Sequence, residues 1–110
     1  MFHDATWIDT ALHRLGTRPG FEWYLAQLKP NSLAVARRNL TRQGFQIFAP
    51  LRLETRRVGS RFRTGPHPLF PGYLFIALDP AESRWRAVNS TLGVTRLVNF
   101  GSMPAAVPQG

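Results

Sequence analysis

A chain of 110 residues without cysteine is one domain, large enough to bury a core with no disulfide or thiolate metal site to staple it. Thirteen arginines and a single lysine face six acids, for a net charge of +8 and a pI near 11.7. Arginine favours planar, bidentate contacts to phosphate or carboxylate, so nucleic acid is the leading expected partner and a merely solvated basic surface the bland alternative. No stretch approaches the ~18 consecutive apolar residues of a membrane helix. The segment Met1 to Ala5 lacks the basic start and apolar run of a signal peptide, and a cytoplasmic protein is expected.

Ala5 to Leu15 places Trp7, Ile8, Ala11, Leu12 and Leu15 on one face of a short helix, stopped by Gly16 and Arg18-Pro19-Gly20. Residues 1–20 therefore read as an extension ahead of the domain. Phe21 to Lys29 is the first strand, ended by Pro30. Asn31 or Ser32 then caps a helix running to about Gln43, with Gly44 where a left-handed residue is wanted. Leu33, Ala36 and Leu40 form its buried stripe. Arg38 and Arg42 stand four apart, with Asn39 and Gln43 beside them; like charges at that spacing repel mildly, and an anion would relieve them.

Phe45 to Ala49 reads as a second strand, bent at Pro50. Leu51 to Thr64 is a hairpin with Gly59-Ser60 at its tip, because glycine at the first central position suits a type II′ turn. That register sets Arg56 opposite Arg63 and Arg57 opposite Phe62, a locally repulsive pairing. From Arg37 to Arg63 there are eight arginines and one glutamate, nearly the whole net charge, and such localisation favours a binding region.

From Gly72 to Leu78 the chain is a strand with apolar side chains on both faces. Tyr73, Phe75 and Ala77 point one way; Leu74, Ile76 and Leu78 the other. One layer of helices covers one face, so the second face needs another cover or is a docking surface. Asp79-Pro80 stops the strand, and Ala81 to about Ser90 is a helix with Trp85 and Val88 as buried candidates. Gly93 breaks it and Val94 to Phe100 is the last strand. The fold class is α+β: an antiparallel sheet of about four strands flanked by helices, with a protruding hairpin.

Little looks catalytic. His3, His13 and His67 lie in unrelated segments, no close carboxylate pair stands out, and no phosphate-binding glycine loop is present. An enzyme, a metal and a cofactor are not expected. The strand Pro71-Gly72-Tyr73-Leu74-Phe75-Ile76-Ala77-Leu78 partly fits the aromatic strand of RNA-recognition motifs, in its Gly-Tyr and Phe-Ile pairs. Plain core, a base-stacking platform and a protein-binding pocket all remain open for Tyr73 and Phe75.

Trp23-Tyr24-Leu25, Arg42-Gln43-Gly44, Ala49-Pro50, Pro68-Leu69-Phe70-Pro71-Gly72-Tyr73-Leu74-Phe75, Val88-Asn89-Ser90-Thr91-Leu92-Gly93-Val94 and Val98-Asn99-Phe100-Gly101 occur here in order. Together with Pro104 to Pro108, this set resembles the N-terminal (NGN) domain of NusG-type transcription elongation factors. It spans about residues 21–108, and the Pro68 to Phe75 run is most similar to the specialised RfaH-like branch. The resemblance implies a non-enzymatic elongation and antitermination factor. It would bind RNA polymerase at the clamp helices of the largest subunit, reach the gate loop of the second-largest and run beside single-stranded non-template DNA. Bridging the cleft would suppress pausing and termination.

By the same resemblance, Phe70, Pro71, Tyr73, Phe75 and Phe100 match the clamp-binding pocket. Arg84, Trp85 and Arg86 occupy the gate-loop-facing positions, where the RfaH branch has a different run. Lys29, Asn39, Arg42 and Gln43 match positions facing DNA; the charge map adds Arg38 and the hairpin's Arg56, Arg57, Arg61 and Arg63. Leu92 stands where the RfaH branch has a base-contacting arginine, so that branch's DNA element does not carry over. The family's KOW domain is absent from this chain, and a monomer is expected. If no other domain masks the pocket, Tyr73 and Phe75 are expected to be exposed unless Trp7, Ile8 and Leu12 of the N-terminal segment fold over them. A stand-alone RNA-binding module of RNA-recognition type is the alternative function.

Overall fold

The computed structural model describes residues 6–100 and 103–104, with the backbone alone described for residues 6–9, 83, 99, 100, 103 and 104. The expectations for Met1 to Ala5, for the side chains of Trp7, Ile8 and Phe100, and for Gly101 and Ala105 to Pro108 lie outside that description. Helix α1 (Thr6–Leu15) precedes β1 (Glu22–Leu28), α2 (Leu33–Arg42), β2 (Ile47–Phe48), β3 (Leu51–Val58), β4 (Arg61–Pro68) and β5 (Tyr73–Leu78). A 3-10 turn (Ser83–Trp85) runs into α3 (Arg86–Asn89), followed by β6 (Val94–Leu97), β7 (Asn99–Phe100) and β8 (Met103–Pro104).

Strand β5 sits inside a four-stranded antiparallel sheet of order β2-β5-β1-β6. Its pairing with β1 sets Leu25 opposite Phe75 and Trp23 opposite Ala77 on one face, and Tyr24 opposite Ile76 and Ala26 opposite Leu74 on the other. Opposed residues share a face, so each face is an unbroken apolar layer. Leu74, Ile76 and Leu78 pack with Ala36 and Leu40 of α2, Val88 of α3 and Leu97 of β6. The other face packs Trp23, Leu25, Phe75 and Ala77 beneath Leu12 of α1, which is fully buried. The expected two-faced strand is therefore present, and both of its faces are covered.

Helix α2 ends as its sequence directs. Gly44 takes φ +89°, its N–H donates to Thr41 O and the Phe45 N–H donates to Leu40 O, the paired bonds of a Schellman closure. Phe45 then joins Leu40 in the core, which shortens the expected strand over Phe45–Ala49 to Ile47–Phe48. At the other end Ser32 occupies the N-cap position but donates its hydroxyl to Pro30 O and makes no side-chain cap bond. Gly93, at φ +92°, lies so close to α2 that a Cβ there would stand 2.9 Å from the Ala36 nitrogen.

Two expected elements are corrected. The helix over Ala81–Ser90 begins only at Ser83 and becomes α only at Arg86, because Asp79 first accepts the N–H groups of Ala81 and Glu82 and holds them in a turn. The last strand is split. Val98 still donates to Leu25 O, but Asn99–Phe100 pairs with Met103–Pro104 instead of continuing along β1. The hairpin register matches the expectation, Arg56 opposite Arg63 and Arg57 opposite Phe62, and the ladder continues to Leu51 opposite Pro68. Gly59 alone in its turn has positive φ (+66°), as a type II′ turn requires. Prolines 66 and 68 are tolerated because β4 pairs with β3 alone.

Two outcomes test this packing. Gly93→Ala combines a left-handed strain with a backbone clash and is expected to cost at least about 1–3 kcal/mol of stability, read from the urea midpoint. Tyr24 is buried, and burial, then the Glu22 carboxylate, raises its phenol above the usual value of about 10. Its contribution to stability is thus fully present below about pH 10 and is lost as pH climbs through the raised folded value. Tyr24→Phe is expected to flatten that alkaline loss in urea titrations on either side of about pH 10.

Candidate docking face and nucleic-acid interface

The turn before β5 builds the aromatic site. Pro71 fixes the first central position, Gly72 takes φ +85°, and the Tyr73 N–H donates to Phe70 O at 3.0 Å, the geometry of a type II turn. Phe70 and Tyr73 are thereby held half-buried on the face of Phe75. The Phe75 ring meets Phe70 edge-on at 5.6 Å and Phe48 at 6.0 Å, and is itself 1% exposed. Pro71 is exposed. Phe75 is thus the floor of the aromatic group, with Phe48, Phe70 and Tyr73 as its half-buried rim.

Helix α1 lies across part of the same face. Besides burying Leu12, it accepts the Trp23 indole N–H at Leu12 O (3.3 Å), and Gln46 donates to Gly16 O (3.0 Å). Of the residues expected to cover the pocket, Leu12 packs in the cluster of Phe75, while the side chains of Trp7 and Ile8 lie outside the described residues. A base cannot stack on a ring as enclosed as Phe75, which removes the main support for the RNA-recognition alternative.

The cationic residues expected at a site separate into three places. Arg38 and Arg42 are exposed on α2, while Asn39 donates its amide to Val35 O and Gln43 donates to Asn39 O and Thr91 Oγ1. The Gln43 amide is thus engaged in tying α2 to the loop after α3. Arg84 donates to Gln43 O and lies 5.2 Å over the Phe45 ring, and Trp85 packs against the core. Arg86 lies over Trp85 and is exposed. Arg84 and Trp85 are accordingly committed to holding the end of α2.

Lys29, before α2, and Arg56, in the hairpin, line one surface cavity of about 410 Å³ with His67 and the Pro71-Gly72 turn. The structure so brings together two residues 27 positions apart in sequence. Arg57 donates to the tip carbonyl of Gly59. Glu54 receives both Arg52 (3.0 Å) and Arg56 (2.8 Å), and those bonds, from Arg56 first, hold its carboxyl below the usual range. Arg52, His67 and Phe48 were not singled out from the sequence. Alternation from Arg56 would have found Arg52; His67 and Phe48 join through tertiary contact alone.

Residues 21–110 match the family model described as transcription termination factor nusG. The chain belongs to the NusG family. It is therefore a transcription-factor domain of the termination and elongation class, and factors of the NusG family act with RNA polymerase. They are regulators of transcription and not enzymes. Among the described residues no group of three His, Cys, Asp or Glu could hold a metal, and no helix is long and apolar enough to cross a membrane.

Helix α1 precedes the matched NusG region, yet its Leu12 closes the core beside Phe75. Leu12→Ala is expected to cost about 2–5 kcal/mol if the site cannot collapse. Hydrogen exchange at the Trp23 indole, whose acceptor lies on α1, should rise with it; unchanged exchange would detach α1 from this face.

Proposed function

We propose that this NusG-family domain is an RfaH-like elongation and antitermination factor that docks on RNA polymerase through the Phe75 face. The clamp helices of the largest subunit would meet Phe70, Pro71 and Tyr73 at the rim, with Phe75 as the floor and Phe100 alongside. Arg86, with Trp85 and Arg84 behind it, would face the gate loop of the second-largest subunit. Lys29, Arg38, Asn39, Arg42 and Gln43 would track the exposed non-template DNA, and Arg56, Arg61 and Arg63 of the hairpin would hold DNA beside them, with Arg57 turned back onto the Gly59 carbonyl. Bridging the cleft in this way closes the clamp and suppresses pausing and termination. Residues 21–108 would be the polymerase-binding domain, residues 1–20 an extension of it, and the cytoplasm its site of action.

The observation that carries this reading is the separation of surfaces. The aromatic rim gathers half-buried Phe48, Phe70 and Tyr73 around Phe75, with Arg96 of β6 in the row beyond Gln27, whereas the cations assigned to DNA sit before and on α2 and on the hairpin. Rigid aromatic anchors suit a protein partner, and arginines suit phosphate. Phe75 itself is 1% exposed, so the half-buried rim is the first point of contact.

Tyr73→Ala and Phe70→Ala are each expected to weaken binding to purified RNA polymerase by about 1–3 kcal/mol, as losses of aromatic anchors do. Single-stranded DNA binding should survive both changes and fall with rising salt. Wild-type retention of both variants on polymerase would sink the docking assignment.

A further inference from the structure

The β3–β4 hairpin has two chemically different faces. Register and alternation put Arg52, Glu54, Arg56 and Val58 with Arg61, Arg63, Gly65 and His67 on one side. Leu51, Leu53, Thr55 and Arg57 with Phe62, Thr64, Pro66 and Pro68 form the other. The first side carries four arginines against one carboxylate. Arg61 and Arg63 are exposed and form no salt bridge among the described residues. The second side carries Arg57 alone, turned back onto Gly59 O, beside Leu53 at 74% and Phe62 at 73% exposure.

We infer that the arginine side of this ribbon binds the phosphates of double-helical B-form DNA. The inference deepens the DNA half of the function proposed above and rests on it. Single-strand binders pair a basic groove with aromatic rings on which bases stack. Here the basic side holds no Phe, Tyr or Trp, because Phe62 points from the opposite side. A two-stranded ribbon fits the ~12 Å major groove of B-DNA, and eight residues reach roughly 26 Å along it. Arg61 and Arg63, two residues apart on one antiparallel strand, stand ~7 Å apart and can each meet a separate phosphate at the groove edge. Glu54 holds Arg52 and Arg56 in fixed orientations on the same side. Contacts of this kind read backbone and not sequence.

The test uses the whole chain with a short duplex DNA, its separated strand and the duplex RNA of the same sequence, by fluorescence anisotropy between about 50 and 200 mM salt. Duplex DNA should bind tighter than duplex RNA, because the deep, narrow major groove of A-form RNA does not admit the ribbon. Arg61→Gln with Arg63→Gln should lower the slope of log affinity against log salt by about 2, two phosphate contacts at ~0.9 each. Arg57→Gln should leave that slope unchanged. Both positions are exposed, so the fold should survive, and Arg52→Gln offers a second, single-site probe. Equal slope loss from Arg57→Gln, an equal slope loss on the single strand or on duplex RNA from the Arg61 and Arg63 changes, or no duplex binding at the lowest salt would each overturn the inference. Tyr73→Ala reports separately on polymerase docking: it should leave the duplex slope intact, so the two readings fail independently.

Discussion

Every apolar contact of consequence in this domain follows from one strand that cannot expose either face. Tyr73–Leu78 runs between β2 and β1 with Leu74, Ile76 and Leu78 on one side and Phe75 and Ala77 on the other, all five buried. At ~25 cal/mol per Å² of apolar surface, leaving either layer in water would cost a small domain more than its stability margin allows. The chain answers with two unlike covers. Helices α2 and α3 close the first face with a conventional core. The second face is closed by Leu12 from a ten-residue helix and by an aromatic group from the sheet edge and the Pro71-Gly72 turn.

The two covers are attached through different parts of the chain. On the α2 side, a Schellman closure feeds Phe45 into the core while Arg84 lies over that ring and bonds Gln43 O, and Gln43 reaches Thr91. Gly93 lets the neighbouring loop touch the α2 backbone directly. Helix, turn and loop are thus bound to one another as well as to the sheet. On the α1 side the Trp23 indole donates to Leu12 O and the Gln46 amide to Gly16 O, so this cover is tied to β1 and to the residue before β2.

That asymmetry also explains what the sequence made legible. The hairpin register, the two-faced strand, the Gly44 stop and the helix of the N-terminal segment follow from local rules of turn chemistry and alternation, and the structure bears them out. The shortened β2, the delayed α3 and the split last strand depend on partners distant in sequence or on a competing turn. Phe45 is drawn from a strand into a helix closure, and Asp79 takes the first N–H groups of the expected helix. Site residues divide in the same way. Tyr73 and Phe70 could be read from the Pro-Gly turn, whereas the structural employment of Gln43 and Arg84 appears only when α2 and α3 meet.

The hairpin obeys the opposite logic to β5, and the contrast gives its arginines meaning. A ribbon paired to nothing but itself gains little from burial, and an isolated hairpin is marginal in water. Placing Arg56 opposite Arg63 on such a ribbon works against its stability, and Glu54 offsets only part of the repulsion through Arg56 and Arg52. Exposed ion pairs of this kind contribute little to folding. The same Glu54 bonds do constrain two guanidinium groups that would otherwise sample many rotamers, and ordering them beforehand lowers the entropy lost when an anion binds. The charge pattern therefore costs the free domain stability that a polyanionic partner would return. In β5 the sequence is spent on holding the fold together; in β3 and β4 it is spent on what the fold presents.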